Sequence, residues 1–110
     1  MKTKISPTNE FNIYLAGDYD IIRQAVKKYT IKVSSCVTVS KTSYIYTGGE
    51  EFGAIVGLRN YPRFDSSLEE LKEEAIRMAT HLMFEVCQKS LMIVGPRETI
   101  WISRRDEFDK

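Results

Sequence analysis

Residues 44–61 read YIYTGGEEFGAIVGLRNY, and this stretch is the strongest indication of the fold class. Residues 44–47 have strand composition, and residues 54–61 resume it after a run that contains glycines. Two adjacent glycines are free to take a positive φ, so residues 47–53 are predicted to turn the chain back on itself. Pro62 cannot donate to a strand ladder and ends the second strand. The stretch therefore predicts a β-hairpin, which is typical of an antiparallel sheet.

The segments around this hairpin predict two helices and further strands. Residues 11–16 read as a strand that Gly17 ends, and Asp18 is placed to cap a helix over residues 19–29. Residues 36–40 alternate as a strand does and, after polar residues 41–43, lead into the hairpin. Ser67 and Glu70 have the spacing of a capping box, and apolar periodicity continues that helix to residue 88. Residues 91–94 and 99–103 bracket a Gly-Pro turn and predict a second hairpin.

The resulting order, β-α-β-β-α-β-β, predicts an α+β domain with a mainly antiparallel sheet, two helices and a C-terminal β-hairpin. At 110 residues the chain is expected to form one domain, 1–110, that is large enough to bury a core. Sixteen basic residues nearly balance fifteen acidic ones, so attraction to long nucleic acid or to an acidic membrane is not expected. No segment approaches the roughly 20 apolar residues of a membrane span.

The cysteines and the histidine do not predict a metal site. Cys36 and Cys87 lie far apart, on a predicted strand and a predicted helix, and are expected to be buried free thiols. Because His81 is the one histidine and no two cysteines are close in sequence, a structural zinc site is not expected. Neither a metal nor another cofactor is predicted.

Residues 57–64, GLRNYPRF, concentrate side chains that commonly bind ligands. Alternation along the strand places Arg59 and Tyr61 on one face, beside Gly57 and away from the core. Arg59, Asn60 and Tyr61 offer a guanidinium, an amide and an aromatic ring, which suit a flat anionic ligand. A solvent-facing edge strand with a slightly basic surface explains the same residues equally well.

Phe84 and the arginines after the last strand are the other candidate ligand residues. Phe84 lies off the apolar stripe of its helix, and its helical neighbours His81 and Gln88 are polar. It therefore packs under another element, meets a partner subunit or stacks on a ligand. Arg104 and Arg105 suit a phosphate clamp, although adjacent arginines are more often surface charge.

The sequence contains few signs of catalysis. Glu50 and Glu51 in the predicted turn, and the glutamates of the second helix, read as solvated carboxylates, and no paired acid and base emerges. His81 has no partner dictated by spacing, and nucleophile signatures such as G-x-S-x-G are missing. The chain is therefore expected not to be an enzyme.

Five phrases in order, YLAGDYD, CVTV, YIYTGGEE, GLRNYPRF and WISRR, resemble the small phage proteins first described as Thoeris anti-defence sponges. The resemblance implies a non-enzymatic protein in the host bacterial cytoplasm. Such a protein sequesters a cyclic ADP-ribose isomer made by bacterial TIR proteins and so blocks Thoeris immunity. The resemblance also implies a homo-oligomer, a dimer or a hexamer, whose pocket forms where two subunits meet. Some members of the family also capture cyclic oligonucleotides of CBASS at a second site.

Carried onto this chain, the resemblance assigns Arg59, Phe84 and a C-terminal arginine to the signal-nucleotide pocket. The last is Arg104 or Arg105, and the choice stays open. Asn60 and Tyr61, beside Arg59, complete the expected binding set. Two other classes stay open as alternatives, namely a nucleotide-cleaving enzyme such as a cyclic-nucleotide phosphodiesterase and a protein–protein inhibitor of a host factor.

Overall fold

Five strands and two helices occur in the predicted order. The computed structural model describes residues 1–33, 35–63 and 65–104. The elements are, in chain order, β1 (Glu10–Ala16), α1 (Tyr19–Lys32), β2 (Thr38–Tyr46), β3 (Gly49–Arg59), α2 (Leu68–Glu85), β4 (Ser90–Val94) and β5 (Thr99–Ser103). The predicted α+β class, antiparallel sheet and C-terminal hairpin are confirmed. Within the described ranges, neither helix combines the length and the apolar composition that crossing a membrane requires.

β1 lies at the centre of a five-stranded sheet whose order is β2-β3-β1-β4-β5. Every pair of neighbours is antiparallel, and β2–β3 and β4–β5 are the two hairpins. The register aligns Ile13 of β1 with Val56 of β3 and Ile93 of β4. All three side chains are fully buried, so a one-residue slip of β1 would turn its apolar residues out of the core.

Both helices pack on one face of this sheet. Phe11, Ile13 and Leu15 alternate along β1 and are buried on that face, as a period of two requires. The helices cover them with apolar stripes. The buried helix residues are Ile22, Ala25, Val26 and Tyr29 of α1 and Leu71, Ala75, Met78, Ala79, Leu82 and Met83 of α2. The opposite face, here called the outer face, carries no helix in the part of the chain that the structure describes.

The two helix starts agree with the sequence prediction. Asp18 caps α1, because its Oδ1 accepts a hydrogen bond from the Ile21 N–H at 3.1 Å. Ser67 and Glu70 form the predicted capping box, each side chain accepting from the other's backbone N–H. The helix ends differ from the prediction by about one turn, since α1 continues to Lys32 and α2 stops at Glu85.

α2 ends before the predicted residue 88 because Cys87 adopts a left-handed backbone conformation. Val86 caps the helix, and Cys87 follows with a φ of 55°. The Gln88 N–H donates to the Met83 carbonyl at 2.8 Å, and the Cys87 N–H donates to the Phe84 carbonyl at 3.4 Å. This pair of bonds is the Schellman arrangement, in which glycine is the usual residue at the position that Cys87 holds.

Cys87→Gly is expected to raise the free energy of unfolding by about 0.5–1 kcal/mol, because glycine adopts this conformation without the Cβ clash of an L-residue. Urea melts beside the wild type measure the change. Cys87→Ala is the matched control, since it removes the thiol and keeps the Cβ. A glycine variant no more stable than the alanine variant would contradict the argument from backbone strain.

The main hairpin is longer than predicted and turns earlier. β2 is one strand over Thr38–Tyr46 rather than two segments around the polar residues 41–43. An edge strand tolerates these polar side chains because much of its surface meets water. The turn consists of residues 47 and 48 alone, with Gly48 at a φ of 86°, and the return strand begins at Gly49.

Both cysteines are exposed free thiols, which contradicts the prediction that they are buried. Cys36 lies in the connection between α1 and β2, and Cys87 lies in the turn after α2. Neither occupies the strand or helix on which the prediction placed it, so no core position shields its sulfur.

Candidate functional site

Aromatic and apolar side chains cross the outer face in one row. The register aligns one outward residue from each strand, and across the sheet these are Ser40, Ile55, Tyr14, Met92 and Trp101. Trp101 is 65% exposed and Met92 is 37% exposed. Exposed apolar side chains that lie next to one another are typical of a binding surface. These five residues are called the outer row.

Tyr44 and Glu51 face each other where the main hairpin extends past β1. β1 ends at Ala16, which pairs with Gly53, so residues 43–52 of β2 and β3 continue beyond it as a two-stranded arm. Tyr44 and Glu51 are register partners in this arm. Because side chains alternate along a strand, both lie on the outer face.

A cleft of about 430 Å³ lies between the base of the arm and the outer row. It is called the outer cleft, and its wall residues include Tyr14, Tyr44, Glu51, Lys89, Met92 and Trp101. Its volume falls in the range of small-molecule pockets. The outer cleft thus combines several aromatic faces with one carboxylate and one ammonium group.

The Tyr44 phenol is held in its protonated form. Burial raises its pKa above the usual value of 10.0, and the charges of Tyr14 and Glu51 add to the shift. At neutral pH the outer cleft therefore presents an O–H donor directly across the strands from the Glu51 carboxylate. A donor and an acceptor side by side can orient a polar substrate and accept or position a proton.

A larger cleft of about 900 Å³ lies on the helix side of the same arm, at the start of α1. Ala16 and Glu51 border both clefts. In the larger cleft, Lys41 Nζ lies 5.2 Å from the centre of the Tyr19 ring. The other charged groups on its walls are carboxylates, from Asp18, Asp20, Glu50 and Glu51. This side of the arm is therefore mainly acidic.

Arg59 and Tyr61 border a third cleft, at the end of β3. Arg59 Nη2 donates to Glu10 Oε1 at 3.0 Å, so the guanidinium has an ion-pair partner within the chain. The Cys36 thiol donates to the Tyr61 hydroxyl, with 3.7 Å between sulfur and oxygen. The structure brings Arg59 and Tyr61 together, and their predicted ligand role stays a prediction.

Asn60 forms hydrogen bonds to several other segments of the protein. Its amide nitrogen donates to the Pro7 carbonyl at 3.0 Å and to Asp65 Oδ1 at 2.6 Å. Its Oδ1 accepts from the Ser66 N–H at 2.6 Å. These bonds join the segment before β1 to the segment before α2. The structure therefore gives Asn60 a structural role, and its predicted part in ligand binding stays a prediction.

Asn60→Ala is expected to lower the free energy of unfolding by about 2 kcal/mol, because it removes several hydrogen bonds that contribute roughly 1 kcal/mol each. Urea melts measure the loss. Asn12→Ala is the control, since the Asn12 amide donates to Glu10 Oε1 at 3.2 Å on the sheet surface and joins no separate segments. Equal losses in the two variants would contradict the role assigned to Asn60.

Phe84 and Arg104, both predicted ligand residues, lie against each other. Phe84 is 60% exposed, and Arg104 Cζ lies 4.9 Å from the centre of its ring. Arg104 Nε also donates to the Gln88 carbonyl at 2.9 Å, which holds the guanidinium over the ring. Arg105 lies outside the described residues.

Arg59 and Phe84 lie near opposite ends of α2. Glu74 borders the cleft of Arg59, and at 1.5 Å per residue Glu74 and Phe84 are about 15 Å apart along the helix. One chain therefore does not gather the predicted ligand residues into one pocket. The predicted pocket between two subunits stays a prediction.

Sequence reasoning missed the pairing of Tyr44 with Glu51. Glu51 read as a solvated turn residue because the turn was predicted to run to residue 53. If the turn is assigned to residues 47 and 48 alone, the hairpin register places Tyr44 opposite Glu51. A prediction of this two-residue turn would therefore have identified the pair.

No protein-family model matches this chain, and no curated protein matches it. Two solved structures share its fold. A phage SAM lyase in the apo state aligns with a TM-score of 0.74 and 10% identity, over 96% of this chain and 98% of that chain. A phage SAM lyase in complex with S-methyl-5'-thioadenosine aligns with a TM-score of 0.71 and 10% identity, over 94% and 95%. Identity this low shows a shared fold alone.

These structures correct the expectation that the chain is not an enzyme. The sequence predicts a protein that only sequesters its ligand. The two solved structures that share its fold, however, are named as lyases. The expectation rested on the lack of a paired acid and base in the sequence, and strand pairing sets the phenol of Tyr44 opposite the carboxylate of Glu51. The resemblance to the Thoeris sponge family is not confirmed by the comparisons.

Proposed function

We propose that this chain is a lyase that binds SAM, S-adenosylmethionine, in the outer cleft and breaks a carbon–sulfur bond of its sulfonium group. The observation that carries the proposal is the Tyr44–Glu51 pair in a cleft of about 430 Å³, on a fold shared with phage SAM lyases. S-methyl-5'-thioadenosine, the ligand of one of those structures, is the thioether that remains when the amino-acid chain of SAM departs.

The groups of the outer cleft complement the parts of SAM. Tyr14 and Trp101 offer flat faces to the adenine, and aromatic faces also attract a sulfonium cation. The Glu51 carboxylate complements the same positive charge. Lys89, on the wall of the cleft, complements the carboxylate of the substrate's amino-acid chain.

The bond cleavage needs no acid, because sulfur takes the electron pair of the carbon–sulfur bond and leaves as a neutral thioether. The carbon fragment gains its new bond from within the substrate, either from an adjacent C–H pair or from the substrate's carboxylate. A carboxylate beside a sulfonium stabilises the substrate more than the transition state, in which the charge is disappearing. Glu51 therefore acts by orienting the amino-acid chain or by accepting the proton of the C–H bond.

Incubation with SAM followed by chromatography tests the proposal. We expect S-methyl-5'-thioadenosine and a second product, which is an unsaturated amino acid if a proton is removed and a lactone if the carboxylate attacks. Recovery of intact SAM, together with no binding of S-methyl-5'-thioadenosine in a calorimetric titration, would exclude the outer cleft as a SAM site.

A homo-oligomer is part of the same proposal. Met92 and Trp101 are neighbouring exposed side chains of the outer row, and a second copy packed there would cover them and close the outer cleft. Light scattering at micromolar concentration is expected to give at least a dimer, and Trp101→Arg is expected to weaken it. A wild-type monomer that turns over SAM would contradict a shared site.

The stacked pair of Phe84 and Arg104 favours a second candidate, which is binding of a signal such as a cyclic ADP-ribose isomer. An aromatic face and a guanidinium suit adenine and pyrophosphate. Phe84→Ala should then weaken signal binding by about 1–3 kcal/mol and leave S-methyl-5'-thioadenosine binding unchanged. Incubation with the signal, removal of free ligand and heat denaturation show whether the released molecule is intact or altered. Cyclic oligonucleotides are tested in the same way.

A further inference from the structure

β2 forms one edge of the sheet along its whole length. It is nine residues long, Thr38–Tyr46, and it comes first in the strand order β2-β3-β1-β4-β5. No other segment in the described part of the chain pairs with its free side. A long edge strand presents unpaired N–H and C=O groups, which are a template for a further strand. Charged side chains and prolines commonly protect such an edge, and here the strand has Lys41 alone.

The hydrogen bonds between β1 and β3 show which backbone groups of β2 lie on this edge. The Gly17 N–H donates to the Phe52 carbonyl at 2.9 Å, and the Asn60 N–H donates to the Asn9 carbonyl at 2.9 Å. Even-numbered residues of β3 therefore bond to β1 and odd-numbered residues bond to β2, because these directions alternate along a strand. Odd-numbered residues of β3 pair with even-numbered residues of β2. The backbone groups that point away from the sheet are those of Val39, Lys41, Ser43 and Ile45.

We propose that this edge binds the β2 strand of a second copy of this chain, antiparallel and about a two-fold axis at Thr42. The pairing joins two five-stranded sheets into one continuous sheet. It sets Val39 opposite Ile45 and Lys41 opposite Ser43, and it gives about eight hydrogen bonds between the two copies. The contact is separate from the one proposed above, which uses the outer face and not the edge.

The length and the charge of β2 both favour this register. Thr42 is the central residue of Thr38–Tyr46, so an axis there pairs the strand over all nine residues. An axis at Lys41 would place two lysines directly opposite each other, which is unfavourable. With the axis at Thr42, each Lys41 lies opposite a serine. Its ammonium group, 5.2 Å from the centre of the Tyr19 ring, is held by its own chain.

The apolar side chains of the two copies also complement each other. Ile45 is 79% exposed and lies in the arm, past the end of β1. The pairing places it beside Val39 of the second copy, which packs against the core of that copy. A two-stranded hairpin alone has little stability in water, and the second copy adds strands to the arm. A strand that complements itself in these ways favours a second copy over an extended peptide of another protein.

Cysteine cross-linking tests the register. Thr42→Cys, made together with Cys36→Ser and Cys87→Ser, places two thiols at the two-fold axis. Residues that face each other there without mutual hydrogen bonds have Cα atoms about 4.5 Å apart, a distance that a disulfide spans. Ser40→Cys in the same background is the matched control. Residue 40 lies on the same face, but its two copies would be about 14 Å apart along the strands.

Oxidation is expected to link Thr42→Cys into a covalent dimer and to leave Ser40→Cys unlinked. Both chains also carry Trp101→Arg, so that the contact through the outer face does not contribute. Non-reducing electrophoresis measures the linked fraction, and urea melts under reducing conditions verify that both chains are folded. Equal linkage in the two chains, or no linkage in Thr42→Cys, would overturn the proposal.

Ser43→Pro tests the hydrogen bonds of the edge. The Ser43 N–H points away from the sheet, so proline removes a bond to the second copy and none to β3. With Trp101→Arg present, sedimentation equilibrium is expected to show dimerisation weakened by at least about tenfold. Ser43→Ala is the control, because it keeps the N–H and should dimerise as before. Equal dissociation constants for the two variants, or a Trp101→Arg chain that is monomeric at high micromolar concentration, would overturn the proposal.

This contact and the proposed function fail separately. The Thr42→Cys dimer, prepared with Trp101 in place, is incubated with SAM and titrated with S-methyl-5'-thioadenosine. A cross-linked dimer that neither binds the thioether nor acts on SAM would leave the edge contact in place and remove the lyase. Turnover of SAM by a chain in which Thr42→Cys does not cross-link would remove the edge contact and leave the lyase.

Discussion

Glu51→Gln is expected to slow the cleavage of SAM by about 10²–10⁴-fold. Glutamine keeps the size of the side chain but removes its negative charge and its ability to accept a proton. If Glu51 accepts a proton, kcat falls, and if it only holds the amino-acid chain of SAM in place, KM rises. Initial rates of S-methyl-5'-thioadenosine formation, measured across a range of SAM concentrations, distinguish the two roles.

Glu50→Gln is the matched control for this variant. Glu50 is the preceding residue, but it faces the helix side of the arm because side chains alternate along β3. Its rates should match those of the wild type. An equal loss in both variants would assign the effect to the overall charge of the arm. An unaffected Glu51→Gln would remove the outer cleft from the reaction.

Gly53→Ala is expected to lower the free energy of unfolding by about 3 kcal/mol or more, because the sheet has no room for the added methyl group. A Cβ at residue 53 would overlap the Leu15 carbonyl oxygen and would lie 2.6 Å from the Tyr44 ring. The carbonyl belongs to the backbone of β1, so it cannot move without shifting the strand. Urea melts measure the loss, and binding of S-methyl-5'-thioadenosine should fall as Tyr44 is displaced.

Gly48→Ala distinguishes crowding from backbone strain. Gly48 has a φ of 86°, and a Cβ there would meet nothing within 4 Å. Its replacement is expected to cost about 1 kcal/mol through the conformation alone. If Gly53→Ala is as mild as Gly48→Ala, then β1 and β3 can separate locally without loss, and the tight packing of Tyr44 over Gly53 has no energetic importance.

Local signals in the sequence were sufficient to predict the elements of the fold. The capping box of Ser67 and Glu70 depends on residues three positions apart, and the alternation of Phe11, Ile13 and Leu15 depends on residues two apart. Such signals lie within one element, so they can be read without knowing what packs against it. The element order then limits the sheet to a mainly antiparallel one.

The candidate site could not be predicted in the same way, because its residues meet only through pairing between strands. Tyr14, Tyr44 and Trp101 belong to three strands and border one cleft only after the sheet has formed. An error in the length of one turn changes which side chains face each other. The turn predicted to reach residue 53 therefore hid the partner of Tyr44. Exposure of Cys36 likewise depends on where β2 begins.

Of the five strands in the described residues, β1 is synthesised first, yet both strands that pair with it follow much later. Its Ile13 pairs with Val56 and Ile93, which follow roughly 40 and 80 positions later in the chain. The hairpins β2–β3 and β4–β5 close over short loops and can form soon after their own residues are synthesised. β1 can be paired on both edges only after both hairpins have formed. A nascent chain that lacks β4 thus leaves one edge of β1 open and its apolar residues without their full cover. The sheet is therefore completed only after β4 has been synthesised, and until then β1 needs protection from misassembly.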